Sequence, residues 1–163
     1  GNPPFLGGMR ISSEHGETYE KTLKALFSNS RGTPDLCCYF LRQSHRLLGH
    51  SLSCVGMLAT SSLIEGDSRT VGIQHLLDHG AELYRVRHSF VWPGAAGIVA
   101  SFVVYTAGPT QLERYIGEKR VDTINSYFED SLAVAPEKLK ATNVSYTQGY
   151  TLYGSGFIID GAT

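Results

Sequence analysis

The sequence has little surplus charge and few cysteines, and both shortages exclude classes of protein. Its 163 residues carry 14 Lys and Arg against 15 Asp and Glu, a formal net charge of −1, so any surface for an anionic polymer must be a local patch. The three cysteines (Cys37, Cys38 and Cys54) form neither a disulfide framework nor a CxxC motif. The cysteine pattern therefore favours a reducing compartment.

The sequence also has no long apolar run. Its longest apolar stretch, Ile98 to Thr106, is far shorter than the roughly 20 residues that cross a bilayer, and no charged-then-apolar leader opens the chain. We therefore expect a cytoplasmic protein without a membrane segment. The chain begins with Gly1 instead of a methionine and stops just after an apolar run, so we expect a piece of a longer protein.

The remaining composition is that of an ordinary globular domain, with 42% hydrophobic and 18% charged residues. After a Gly- and Pro-rich loop, apolar spacing predicts a helix over Glu17–Phe27. A second helix is predicted over Asp35–Leu48, with Thr33 as its N-cap and Gly49 after its last turn. A third is predicted over 66–79, closed by Gly80.

Three strands are predicted, over Leu52–Thr60, Leu83–His88 and Ile98–Thr106. The first is almost entirely small or apolar, which is typical of a strand buried on both faces of a parallel sheet. The order of elements predicts an α/β fold, the C-terminal half of a Rossmann-like, mostly parallel sheet. We expect a partial catalytic domain over 1–108, and over 109–163 a connector with the start of a target-recognition region.

The most informative motif is Asn2-Pro3-Pro4-Phe5. The exocyclic amine of adenine is a poor nucleophile because its lone pair is delocalised into the ring, and two acceptors aimed at its hydrogens would localise that pair. Asn2 offers a side-chain oxygen and Pro3 a main-chain oxygen, while consecutive prolines fix the backbone. Phe5 adds an aromatic face for a base rotated out of a duplex. The alternative is a Pro-Pro turn that only punctuates a loop.

Further segments occur in an order that resembles one family, and they cover nearly the whole chain. They are Asn2 to Gly8, Asp35-Leu36 with Tyr39-Phe40, Ala59-Thr60 with Glu65 to Arg69, Phe90 to Ala96, and Gly149 with Leu152 to Phe157. The resemblance is to the large adenine-specific DNA methyltransferases of single-chain restriction-modification and phage-exclusion systems. Two positions depart from it: Met9 stands where the family usually has a basic residue, and 150–155 matches only loosely.

The resemblance implies a site-specific DNA (adenine-N6) methyltransferase that uses S-adenosyl-L-methionine. In this family the methyl-donor motif lies upstream of the NPPF-type loop, so we expect the fragment alone to be inactive. The resemblance places Asp35, Tyr39 and Phe40 near the cofactor. The alternative is that Tyr39 and Phe40 are core residues and Asp35 only begins a helix.

The same resemblance implies that Trp92 and Phe90 face the target base opposite Phe5. It also implies that the partner is double-stranded DNA and that the protein acts in a prokaryotic cytosol. A target-recognition domain and a nuclease are possible in the full-length chain. Three arginines are predicted to contact DNA phosphates, and solvated surface positions are their alternative. They are Arg69, Arg85 and Arg87, with His88 beside them.

Two other chemistries are disfavoured by position. Cys37 and Cys38 lie within a predicted helix, not after a proline as the nucleophile of a cytosine-carbon methyltransferase does, so we expect them to be buried small hydrophobes. His75 and His79 lie one helical turn apart but lack a third ligand nearby, and we predict no metal site.

Two rival functions stay open at this point. The first is a protein-glutamine methyltransferase. Its target amide nitrogen is also a poor nucleophile, and a similar Asn-Pro-Pro-aromatic loop binds it. The aromatic loop at Phe90–Trp92 and the segment after Gly108 favour a base over a peptide. The second rival is a catalytically dead DNA-binding remnant.

Overall fold

A computed structural model describes residues 1–49, 53–93 and 99–132 of the chain. Within these ranges, no helix is both long and apolar enough to cross a membrane. The motif residues at Gly149 and Leu152 to Phe157, and Ala95 and Ala96 of the aromatic loop, lie outside the described residues.

Three helices precede the first strand: α1 over Gly8–His15, α2 over Glu17–Leu26 and α3 over Leu36–Leu48. The predictions for α2 and α3 are confirmed to within a residue. Helix α1 was not predicted, because its sequence is mostly polar and Ile11 is the one large apolar side chain that it buries. Gly16, at a φ of 87°, separates α1 from α2.

The N-cap of α3 differs from the prediction by two residues. Asp35, not Thr33, is the cap, since its side chain accepts a hydrogen bond of 3.0 Å from the backbone N–H of Cys37. The backbone N–H of Thr33 instead donates to Asp67 Oδ2 at 2.8 Å. Gly49 follows the helix at a φ of 58°, as predicted.

The third predicted helix is present but irregular. It consists of α4 over Gly66–Arg69, a π-helical turn over Thr70–Gln74, and α5 over His75–Asp78. Gly80 follows at a φ of 86°, as predicted. The sequence showed only the helical period, which a single π-helical turn does not visibly disturb.

Among the described residues, five strands form one sheet in the order β1-β3-β2-β4-β5. Their bounds are Cys54–Thr60 for β1, Glu82–Val91 for β2, Val99–Thr106 for β3, Arg114–Ile116 for β4 and Lys119–Val121 for β5. The α/β prediction and the three long strands are confirmed. The two short strands were not predicted, because three residues carry too little alternation to be recognised.

The expectation of a mostly parallel sheet is corrected by the described pairings. Only β2 and β4 pair in parallel; β1–β3, β2–β3 and β4–β5 are antiparallel. The chain turns back from β2 directly into β3, which inserts between β1 and β2. Strands β1 and β2 therefore point the same way without touching, because an antiparallel strand separates them.

The first residue of the chain pairs with the free edge of β1. Gly1 accepts from the N–H of Leu58 at 2.9 Å and donates to the carbonyl of Gly56, the hydrogen-bond pattern of a parallel bridge centred on Met57. The chain then continues in the direction of β1. This pairing sets the NPPF segment beside the carboxyl end of β1, at Thr60.

The main core lies between the sheet and the helices α3 and α5. Tyr105, near the carboxyl end of β3, is fully buried and donates its hydroxyl to the carbonyl of Leu41 at 2.8 Å, which fastens α3 to the sheet. Burial raises the pKa of this phenol. Cys37 and Cys38 are also fully buried, as predicted. A smaller cluster outside this core consists of Ile11, Phe27, Leu36 and Tyr39.

One compact unit extends over Gly1–Ala133. Its sheet continues past residue 108 through β4, which pairs with β2 at Arg85 and Val86. The boundary between catalytic domain and connector stays a prediction, since most of 109–163 lies outside the described residues.

Candidate active site

The NPPF segment is fixed by the start of α3. The N–H of Leu36 donates to the carbonyl of Leu6 at 2.9 Å. Gly8 packs so closely against the neighbouring backbone that a Cβ there would lie 2.1 Å from the carbonyl oxygen of Thr33. The second glycine of the Asn-Pro-Pro-Phe-Leu-Gly-Gly string therefore has a packing role, because only glycine allows this approach.

A cavity of about 110 Å³ lies beside this segment. Its described lining residues are Asn2, Phe5, Leu58, Trp92 and Ala100. They meet because Gly1 aligns the NPPF segment with β1, and because Ala100 pairs with both Thr60 of β1 and Phe90 of β2. The cavity thus lies at the carboxyl ends of β1 and β2, the edge at which open α/β sheets bind ligands.

The polar and aromatic groups of this cavity are accessible, whereas its floor is not. Phe5 is 36% exposed and Trp92 40% exposed, while Ala100 is 1% exposed. Pro3 is buried and Asn2 is exposed beside it, so the proline anchors the segment while the amide faces outward. The arrangement combines one hydrogen-bonding amide with two aromatic walls, which suits a flat ring carrying a polar edge.

The relationship to known proteins agrees with this geometry. The family model of the MmeI DNA-methyltransferase domain matches residues 1–120. The chain belongs to this family. The prediction that it is part of a DNA methyltransferase is confirmed.

A solved structure resembles the MmeI-family chain in fold. It is the type IIL restriction-modification enzyme MmeI, determined in complex with DNA, with 20% sequence identity and a TM-score of 0.65. The match covers 82% of this chain and 20% of that chain, so this chain corresponds to about a fifth of the MmeI polypeptide. No curated protein matches the sequence.

Phe90 supports the MmeI-family pocket from outside its lining. Its ring lies 6.2 Å from that of Trp92, and the guanidinium carbon of Arg87 lies 5.0 Å from its centroid. A register shift between Arg87 and Phe90, with Ser89 at a φ of 49°, marks a β-bulge. Bulges re-aim side chains next to active sites, and this one returns Phe90 to register opposite Ala100.

The three residues predicted near the cofactor occupy different environments. Asp35 is buried, and its carboxylate accepts from Cys37 N–H and, at 3.3 Å, from the Thr60 hydroxyl. Tyr39 is 3% exposed and packs 5.3 Å from the ring of Phe27. Phe40 is 42% exposed. Asp35 is thus tied to the carboxyl end of β1, Tyr39 to the small cluster, and only Phe40 presents a broad free surface.

Arg69 is held within the domain. Its guanidinium donates to the hydroxyl of Ser126 at 2.9 Å and lies 4.3 Å from the ring centroid of Tyr127. These contacts fasten the helix start at Gly66–Arg69 to the segment after β5. Arg69 therefore has two partners, Ser126 and Tyr127, within the same chain.

Arg85 and Arg87 project from β2 as exposed cations. Arg85 lies 3.9 Å from Glu118 and over the ring of Tyr115, while Arg87 covers Phe90. His88 contacts the hydroxyl of Ser101 at 3.1 Å. Exposed ion pairs of this kind contribute little to stability, so the two arginines remain available to a phosphate backbone.

Two lining residues, Leu58 and Ala100, were not predicted. They lie on strands that we assigned to the core, and their membership depends on the β1–β3 pairing, which the sequence did not reveal. The register places Ala100 at the amino end of β3 beside the carboxyl end of β1. A small residue at that position leaves the space that the cavity occupies.

The histidines predicted not to form a metal site lie stacked, with the His75 and His79 rings 3.9 Å apart. Across the described ranges, no group of three or more His, Cys, Asp or Glu side chains is arranged to hold a metal ion.

Proposed function

We propose that this domain, within its complete protein, holds an adenine rotated out of double-stranded DNA and transfers a methyl group to its exocyclic amine. The observation that carries this proposal is the meeting of Asn2, Phe5 and Trp92 in one cavity. Membership of the MmeI DNA-methyltransferase family supports DNA as the substrate. The relative of known structure was determined bound to DNA.

In this proposal Asn2 and Pro3 act on the target nitrogen. The Asn2 side-chain oxygen and the Pro3 carbonyl each accept one N–H of the amine, which turns its lone pair away from the ring. Both bonds strengthen as the nitrogen forms its bond to the methyl carbon, whose bond to its donor breaks at the same time, and as the nitrogen becomes positively charged. They therefore stabilise the transition state more than the ground state. The nitrogen then loses one of these protons to solvent, which leaves the methylated amine neutral.

Phe5 and Trp92 hold the base in place. The cavity of about 110 Å³ is smaller than typical ligand sites of about 300–1,000 Å³. Its two aromatic walls are partly exposed, so we expect them to move apart and stack on the two faces of the entering ring. Phe90 and Arg87 support Trp92 from behind.

A methyltransferase family implies a donor of the S-adenosylmethionine type, which would supply an electrophilic methyl group. The fit of the three predicted residues is partial, since Asp35 and Tyr39 are engaged within the fold and only Phe40 is broadly exposed. Their role at the donor stays a prediction, and we assign them no step. The same proposal includes contacts to DNA phosphates by Arg69, Arg85 and Arg87. It also includes a cytoplasmic location.

The test is single-turnover methylation by the complete protein on an adenine-containing duplex that includes its recognition site. Asn2→Ala should lower the rate by roughly a hundredfold or more, the scale of losing one preorganised hydrogen-bonding group. Equilibrium binding of the same duplex should change much less. Gln43→Ala, an exposed polar position on α3, is the matched control and should keep the parental rate.

Two further arms separate the rival functions. Methylation of a glutamine-containing peptide, with none of the duplex, would identify the protein-glutamine activity. Duplex binding without methylation by the parental protein would identify a DNA-binding remnant. A near-parental single-turnover rate for Asn2→Ala would leave Asn2 as a turn residue and refute the mechanism.

A further inference from the structure

A second cavity, of about 400 Å³, lies among the helices. Its lining includes the cationic or ionisable side chains of Arg42, His45, Arg46, His75 and His79. Its described lining contains no carboxylate. Arg46 and His79 are exposed, whereas Arg42 is buried, and a buried cation without an acid beside it is costly unless an anion balances it.

This cavity is separate from the pocket at Asn2, with which it shares no lining residue. Helix α3 starts at the carboxyl end of β1, where its cap Asp35 contacts Thr60. Arg46 lies 11 positions after Asp35, about 16 Å along the helix at 1.5 Å per residue. The second cavity is therefore displaced toward the opposite end of the sheet.

The two arginines are held close together by an aromatic ring. The guanidinium carbon of Arg42 lies 5.4 Å, and that of Arg46 5.7 Å, from the centroid of Phe27. Arg42 is only 4% exposed and donates to the Ser30 hydroxyl at 3.0 Å and the Ser28 carbonyl at 2.8 Å. Neither partner is charged, so the buried positive charge of Arg42 has hydrogen bonds but no counter-ion among them.

Two buried nitrogens on the lining residues have no hydrogen-bond partner. They are Arg42 Nε and His45 Nδ1, the only unpartnered buried side-chain nitrogens or oxygens among the described residues. Such groups are rare in folded proteins. Arg42 Nε is always a donor, so an acceptor oxygen would satisfy it, and His45 Nδ1 becomes a donor when the imidazole is protonated. An oxyanion would supply both the acceptors and the missing negative charge.

We propose that this cavity is a binding site for a phosphate group. Arg42 and Arg46 supply the permanent charge, and the imidazoles of His45, His75 and His79 supply donors around it. The ligand is a tetrahedral oxyanion, either free or as part of a larger molecule. Planar guanidinium groups match phosphate oxygens in both spacing and direction.

The proposal predicts proton uptake on binding. Burial, followed by the charges of Arg42 and His79, lowers the pKa of His75 to about 4, and burial also lowers the pKa of His45. Asp78 acts in the opposite direction on His75. A bound dianion favours the protonated imidazoles, so affinity should rise as the pH falls from 8 to 5.

The probe is sulfate, because a phosphate ester changes its own charge near its second pKa of about 6. Calorimetric titration of the complete protein should show saturable sulfate binding, and two buffers of different ionisation enthalpy should reveal the proton uptake. Arg46→Gln should weaken binding at least tenfold. Arg31→Gln, an exposed arginine outside the lining, should change it less than twofold.

A second variant guards against misfolding of the pocket. Arg42→Lys keeps the charge but loses the fork that reaches both Ser28 and Ser30, and it should also weaken binding at least tenfold while the circular dichroism spectrum stays parental. No saturable sulfate binding beyond that of chloride at equal ionic strength would overturn the proposal. Equal losses for Arg46→Gln and Arg31→Gln would overturn it too, because they would show a general charge effect.

Competition then identifies the source of the phosphate. Displacement of sulfate by a short DNA duplex supports the site and assigns it to a backbone phosphate. Displacement by inorganic phosphate or a nucleoside monophosphate, but not by the duplex, supports the site and assigns it to a free phosphate. If none of these displaces sulfate, the cavity is not a phosphate site.

Discussion

Replacing Gly8 by alanine tests how the NPPF segment is held in place. The new Cβ would lie 2.1 Å from the carbonyl oxygen of Thr33 and 2.5 Å from that of Pro34. Ordinary non-bonded contacts begin at about 3.5 Å, so the backbone must move by more than about 1 Å. Both atoms belong to main chain that leads into α3, which cannot rotate aside as a side chain does.

The expected loss of stability follows from two opposing terms. Overpacking against fixed atoms costs about 1–3 kcal/mol, whereas alanine in place of glycine at a helical position contributes about 1 kcal/mol of stability. An approach of 2.1 Å to main-chain atoms falls at the upper end of the first range, so Gly8→Ala should destabilise by about 2 kcal/mol. Gly7→Ala is the matched control. No atom lies within 4 Å of its Cβ position, so its effect should stay within about 0.5 kcal/mol.

Urea unfolding followed by circular dichroism measures both variants, with the difference read from the midpoints at equal slope. In the complete protein, a 1 Å displacement of Asn2 should also lower single-turnover methylation by up to roughly a hundredfold. If Gly8→Ala and Gly7→Ala unfold at the same urea concentration, Gly8 is not a packing residue. The attachment of the NPPF segment to α3 would then have to rest on the Leu36–Leu6 hydrogen bond alone.

The remaining predictions concern the pocket, the core and the pH dependence. In the complete protein, Phe5→Ala and Trp92→Ala should each lower the single-turnover methylation rate, because each loses about 1–3 kcal/mol of stacking on the flipped base. Parental rates for both variants would show that neither residue holds the base. Tyr105→Phe deletes the hydroxyl that donates to the Leu41 carbonyl and should cost about 0.5–1.5 kcal/mol in urea unfolding, with an unchanged midpoint refuting this. The pKa of His75 is lowered from 6.5 to about 4 in the fold. The unfolded chain therefore binds more protons as the pH falls from 6.5 to 4, so stability should fall in that window, and less steeply in His75→Gln.

The regular elements were predictable because their signals are local. Helix α3 was marked by a capping residue before it and by Gly49 after it, and only its cap was misplaced. Both Thr33 and Asp35 are good capping residues. The choice between them depends on Ser68 and Asp67, which bind the two N–H groups of Asp35 and Thr33 from a distant part of the chain.

The pairing of the strands was not predictable from those signals. Strand β1 was expected to be buried on both faces, but only Met57 and Ala59 are buried. An apolar strand of this kind has the same composition whether its neighbour runs parallel or antiparallel, and the insertion of β3 beside it is a long-range event. Three pocket residues, Asn2, Phe5 and Trp92, could be predicted from the NPPF motif and the aromatic loop, because their residue types indicate hydrogen bonding or stacking. Leu58 and Ala100 became visible only with the register.

The insertion of β3 between β1 and β2 has a consequence for the order of assembly. Strands β2 and β3 are neighbours in sequence and can form a hairpin by themselves, whereas β1 must find β3 across the whole helical segment that separates them, and such non-local pairing is slow. During synthesis, Asn2 leaves the ribosome long before Ala100. The pocket at Asn2 therefore forms late in folding. It does not exist until the N-terminal half of the chain has packed onto the β2–β3 hairpin.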